Sequence, residues 1–177
     1  AGFGDWGLFG RADLERQLAM IQVNVTALTA LTRLLLPPMV TQRKGRILNV
    51  ASTAGFAPGP LMAVYYATKA YVISFSEAIG NELEGTGITV TALCPGPTRT
   101  GFAEVAGMGQ SNLFSSPTVM EVEPVALAGW RGMQRGTAVG NAIVMSLAEL
   151  FPDHGIDIGD MTFGNARKQG RSLDDEV

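Results

Sequence analysis

Two short apolar runs with a helix-length segment between them limit the fold of this chain more than any other feature. Residues 46–51 read Arg-Ile-Leu-Asn-Val-Ala and residues 88–94 read Ile-Thr-Val-Thr-Ala-Leu-Cys. Gly45 precedes the first run, and Pro95-Gly96-Pro97 follows the second. Runs of this length, mostly apolar or β-branched and bounded by turn residues, predict buried strands. Residues 61–84 between them predict a helix that stops near Gly85 and Gly87. A parallel strand pair needs such a crossover, so the pattern predicts an α/β layer with a parallel sheet. Only two strands are clear, too few for an open sheet.

Upstream, Leu14, Leu18, Ile21, Val25 and Leu28 fall on one helical face within residues 12–42. That stretch is long for one helix. It predicts a break near 19–23 and a kink or stop at Pro37-Pro38. A third helix is expected over 123–135, with Pro124 in its first turn, and a fourth over 141–151. Residues 1–10, 52–61 and 97–120 read as loops. There is no repeat and no interdomain linker. Residues 1–164 form one unit, and the charged segment 165–177 is expected to be a disordered tail.

Composition narrows the function classes. Of 177 residues, 46% are hydrophobic and 16% charged, which excludes a wholly disordered chain. The net charge of −3 offers no basic surplus for nucleic acid. One cysteine, Cys94, fits a reducing, cytoplasmic setting. One histidine, His154, lies among Asp153, Asp157 and Asp160 at a spacing that fits no calcium loop, so no metal is expected. Arg33 and the prolines after it are expected to leave no apolar run of membrane-spanning length, and residues 1–10 lack the features of a signal peptide. Arg43, Lys44 and Arg46 read as cations answering a helix dipole.

Four polar residues lie in apolar surroundings: Asn24, Ser52, Tyr65 and Lys69. Tyr65 and Lys69 are four apart on the expected helix, so they share a face. In an open parallel sheet, ligands bind beyond the carboxyl ends of the strands. Ser52 lies at one such end and Pro95-Gly96 at another. A nearby ammonium lowers a phenol's pKa and makes it a general acid or base. A serine hydroxyl beside it can hold a carbonyl or alkoxide oxygen. These groups move protons, so a redox reaction here needs a hydride cofactor.

In this arrangement the chain resembles the short-chain dehydrogenase/reductases. The matching segments are Asn24, then Asn49-Val-Ala-Ser52-Thr-Ala-Gly, then Tyr65-Tyr-Ala-Thr-Lys69, with Ser52 and Tyr65 at the family's spacing of thirteen. Pro95-Gly96-Pro97-Thr98-Arg99-Thr100 is similar to the family's segment facing the nicotinamide, and Ala1-Gly2 to the end of its Asn-Asn-Ala-Gly turn. The resemblance covers about residues 1–136 and implies a partial Rossmann-like, doubly wound parallel sheet lacking the first β/α units. No glycine-rich pyrophosphate turn is found. Gly107-Met-Gly109 follows a loop, not a strand.

The resemblance implies a carbonyl or alcohol substrate and NADP or NAD as cofactor. Tyr65 would give or take the proton. Lys69 would lower its pKa and bond the nicotinamide ribose. Ser52 would hold the substrate oxygen, and Asn24 a relay water. Pro95, Gly96 and Thr98 would face the nicotinamide. Residues 97–120, with Phe102, Met108, Leu113, Phe114 and Met120, are expected to cover the site as a lid over an apolar substrate. Helices at 20–42 and 61–84 are expected to pair in a homodimer or larger assembly. The rival expectation is a truncated, non-catalytic piece that acts only by association.

Overall fold

The computed structural model describes residues 2–108 and 119–136 and, as backbone, the strand Ile143–Met145. Ala1, Gly109, Leu113, Phe114, the His154 cluster and the expected tail lie outside the described residues. The chain runs from α1 (Leu14–Ile21) through a π-helical segment (Gln22–Ala27) into α2 (Leu28–Gln42). Strand β1 (Gly45–Val50), helix α3 (Ala63–Glu82) and strand β2 (Ile88–Pro95) follow, then α4 (Phe102–Val105), α5 (Val122–Gln134) and β3 (Ile143–Met145). The strands form a parallel sheet in the order β1-β2-β3. β1 and β2 pair in register from Gly45–Ile88 to Val50–Leu93, as the crossover pattern requires.

Side chains of β2 alternate between two faces. Ile88, Val90, Ala92 and Cys94 join clusters with Val72, Ile73 and Leu83, and with Leu36 and Met39 of α2. Leu93 points the other way, against Gly129 of α5. Both faces of the central strand are therefore covered. Asn49 of β1 joins the first side through a bond from Nδ2 to Ser76 Oγ (2.9 Å), so a buried amide aligns β1 with α3.

Several expectations are corrected. No break interrupts residues 14–42; the helix widens into the π segment at 22–27 instead. Pro37 and Pro38 do not end α2: Leu36 and Met39 pack against Leu83, Ile88 and Val90, and this tertiary contact offsets the lost N–H bonds. The resulting 29-residue helix, Leu14–Gln42, reaches a mean hydropathy of 1.4, so by length and composition alone it is long and apolar enough to cross a membrane. Arg33 does not interrupt it. The helix expected over 141–151 is replaced at 143–145 by β3. The loops at 52–61 and 97–120 contain a 3-10 turn, Thr53–Phe56, and the helix α4.

Helix α2 stops in a Schellman motif. Arg43 adopts the left-handed region (φ 49°), and the N–H groups of Arg43 and Lys44 donate to Val40 O (3.0 Å) and Met39 O (3.1 Å). The turn into β2 packs directly on this cap. Gly87 has φ +85°, and a Cβ there would lie 2.2 Å from the Arg43 carbonyl oxygen. That atom is backbone and cannot swing away. Gly87→Ala is expected to lower folding stability by about 2 kcal/mol or more. Urea denaturation checks this, and an unchanged midpoint would contradict the close approach.

Candidate active site

Ser52 leaves β1 in an extended conformation and caps the 3-10 turn, its Oγ accepting from Ala54 N–H (3.1 Å). The hydroxyl donates to Pro95 O (3.4 Å), joining the ends of β1 and β2. The turn can lie this close to α3 because of Gly55. A Cβ there would sit 2.5 Å from Ile73 Cδ1 and 2.8 Å from the Lys69 carbonyl oxygen. Only a glycine fits without displacing backbone. The result brings Ser52 to Tyr65, whose phenol it hydrogen-bonds.

Tyr65 and Lys69 are both buried on α3. The Tyr65 ring packs against Phe102 (5.1 Å between centroids) and edge-on to Tyr66 (6.1 Å). Lys69 Nζ donates to Val50 O (2.9 Å) at the end of β1 and lies 5.7 Å from the Tyr65 ring centroid. Burial pushes the Lys69 ammonium down to about 8. Cys94 itself is pushed up to about 12, chiefly by burial, so it remains a protonated thiol. Burial also raises the Tyr65 pKa above its ordinary value, outweighing the hydrogen bond with Ser52 that lowers it. In the protein alone, desolvation is the largest influence on the Tyr65 phenol.

Asn24 occupies the π segment and is buried. Its Nδ2 donates to Phe3 O (3.0 Å) and Thr68 Oγ1 (3.1 Å), and its Oδ1 accepts from Phe3 N–H (3.2 Å). Thr68 Oγ1 in turn donates to Tyr65 O (2.7 Å). The side chain thus ties the N-terminal segment to the turn of α3 that carries Tyr65. Gly2, with φ +119°, lies between Asn24 and the cavity, and a Cβ there would come within 3.1 Å of Asn24 Oδ1.

The cavity has a volume of about 310 Å³. Ser52, Tyr65, Lys69, Pro95, Gly96 and Thr98 all line it, and Asn24 stands behind Gly2. Thr98 Oγ1 donates to Gly96 O (3.0 Å), which folds the segment after β2 along the rim. The opposite wall is apolar: Met62, Tyr66, Phe102 and Met108. Sequence reasoning missed Gly55, Thr68 and the place of Tyr66 in the cavity wall. Gly55 was legible only as part of the segment after Ser52, since its close contact with Lys69 depends on packing.

The site fits the nicotinamide end of a dinucleotide. The Lys69 ammonium has three N–H donors and, among the described residues, one acceptor, so two remain for ribose hydroxyls. Pro95, Gly96 and Thr98 line the same cavity, at and just after the carboxyl end of β2.

Comparison with known proteins agrees with this arrangement. The pattern of the short chain dehydrogenase family matches residues 1–110. The ketoacyl reductase HetN of Nostoc sp. is 32% identical over 141 residues, which are 80% of this chain and 44% of that protein. The very-long-chain 3-oxoacyl-CoA reductase of Rattus norvegicus is 42% identical over 94 residues, 52% of this chain and 30% of that protein. A solved structure, the short-chain dehydrogenase from Sphingobium yanoikuyae in complex with NADPH, superposes with a TM-score of 0.72 at 31% identity, covering 96% of this chain and 65% of the other. The chain spans less than half the length of these two relatives. The chain belongs to the short-chain dehydrogenase family.

Proposed function

We propose that this chain carries the catalytic site of an NADPH- or NADH-dependent reductase acting on an apolar ketone, with 3-oxoacyl thioesters as the best-fitting class. The convergence of Ser52, Tyr65 and Lys69 on one cavity at the carboxyl ends of two parallel strands carries this reading. The apolar wall of Met62, Phe102 and Met108 favours an acyl chain over a sugar. The two reductases described above act on ketoacyl substrates, and the solved neighbour holds NADPH.

Lys69 and the rim of Pro95, Gly96 and Thr98 would hold the nicotinamide and its ribose. The bound cofactor supplies the hydride that reaches the carbonyl carbon. The Ser52 hydroxyl turns from Pro95 O to donate its one hydrogen bond to the substrate oxygen and so favours the charge that develops there. Tyr65, kept protonated by burial, gives its phenolic proton to that oxygen. The raised pKa keeps on the phenol the proton that it gives in reduction. The Lys69 ammonium offsets the phenolate that is left. Asn24 has committed its amide to Phe3 and Thr68, so its side chain serves to hold the turn of α3 that carries Tyr65.

In the full-length protein, Tyr65→Phe is expected to lower kcat for ketone reduction by about 10³-fold while the circular dichroism melt is unchanged. Turnover within a few-fold of the parent would overturn the assignment.

We also propose a homodimer or larger assembly through α2 and α3. Leu31, Leu34 and Leu35 are 58%, 72% and 54% exposed, too apolar a row to face water alone. Thr29 and Tyr71 hydrogen-bond at 2.8 Å, and Tyr71 stacks on Phe75, so the two helices present one continuous outer face. Light scattering at micromolar concentration is expected to give at least twice the monomer mass. A monomer with a sharp cooperative melt would contradict it.

A further inference from the structure

Residues 4–7 lie between the two segments that close the apolar side of the cavity, and hydrogen-bond both. Trp6 N–H donates to Ala106 O (2.9 Å), just after α4, and Gly7 N–H donates to Leu61 O (2.9 Å), just before α3. Leu61 has φ +68°, a left-handed backbone that a leucine adopts only under constraint. Gly4 backs the wall itself. A Cβ there would come within 2.7 Å of Phe102 Cζ and 2.9 Å of Met62 Cε. The position of this strap therefore decides where Phe102 and Met62 stand.

The strap has one ionic anchor. Asp5 accepts from Arg16 Nε on Oδ1 (2.6 Å) and from Gln17 Nε2 on Oδ2 (2.6 Å), so both carboxylate oxygens are held by the first turn of α1. Arg16 Nη2 reaches past Asp5 to Gly4 O (3.5 Å) and also donates to Val105 O at the end of α4. The guanidinium lies 5.4 Å from the Phe3 ring centroid. Asp5 is 17% and Arg16 38% exposed, whereas the other ion pair among the described residues, Arg99–Glu121, is 64% exposed on both sides. Sheltered, multidentate charge pairs hold geometry in a way that exposed ones do not. Arg16 thus joins three segments that are remote in sequence: α1, the strap and the end of α4.

We propose that Arg16, acting through Asp5 and the Val105 carbonyl, is a positioning residue that fixes the α4 wall of the cavity and thereby its preference for long apolar substrates. It lies outside the reacting groups, so it acts on how the acyl chain is held rather than on proton transfer. The proposal rests on the reductase reading for its substrate and on the clamp geometry alone for its effect on α4.

The test compares Arg16→Met, Arg16→Lys and Asp5→Asn in the full-length protein. The substrates are ethyl 3-oxobutanoate and ethyl 3-oxodecanoate with NADPH. Arg16→Met is expected to raise KM for the long ester about tenfold, with kcat and the KM for the short ester changed less than about twofold. Arg16→Lys should restore part of the loss, since an ammonium can still meet Asp5 but cannot fork to Val105. Asp5→Asn should follow Arg16→Met. Amide hydrogen exchange is the second readout: Arg16→Met should speed exchange at residues 102–108 and leave α3 and β2 protected. Equal KM changes for both esters, or uniform acceleration of exchange, would reduce Arg16 to a general stabiliser and overturn the proposal. Unchanged exchange at 102–108 would also overturn it. If the parent reduces neither ester, the reductase reading fails, and the exchange pattern still decides the clamp.

Discussion

A buried ammonium holding the carbonyl at the end of a strand is the contact on which the site depends. Lys69 reaches from α3 to Val50 O across 2.9 Å, and it does so from a buried position. Burying a cation is unfavourable unless hydrogen bonds compensate. Here one backbone acceptor is present, and two donors remain toward the cavity. The lysine is therefore poised to gain from a polar ligand. The same bond fixes the height of α3 over β1, which places Tyr65 one turn earlier beside Ser52.

Two further constraints keep that geometry. Gly55 lets the turn after β1 touch the Lys69 backbone, and Asn24 pins the Tyr65 turn from behind through Thr68. Neither residue needs to touch a substrate to matter. The π segment around Asn24 widens the helix just where its amide must face both Phe3 and Thr68. Such insertions occur often at functional sites.

The strands, α3 and the Ser52-Tyr65-Lys69 set were legible because their signals are local. β-branched runs end at glycine and proline, and a spacing of four puts Tyr65 and Lys69 on one face. The π segment was not legible, since a slip of one residue hardly changes an apolar period already spanning Leu18 to Leu28. The passage of α2 through Pro37-Pro38 was hidden because packing of Leu36 and Met39 decides it. β3 is three residues long, and an apolar run that short does not distinguish strand from helix. The burial of the Tyr65 phenol was not legible, because spacing shows that a lysine is near but not what packs over the ring.

Titration of the Lys69 side chain in the full chain, followed by NMR of its Cε and Nζ, tests the buried-ammonium account most directly. The account predicts a midpoint of about 8. Folding stability should then rise between about 8 and the ordinary value of 10.5, because over that interval the unfolded chain holds a proton that the folded one has lost. Below about 8 both states carry the proton, and this group should leave stability flat. A midpoint at 10.5, with no rise in stability across that interval, would mean that Lys69 is solvated and that the site is not the sheltered one described.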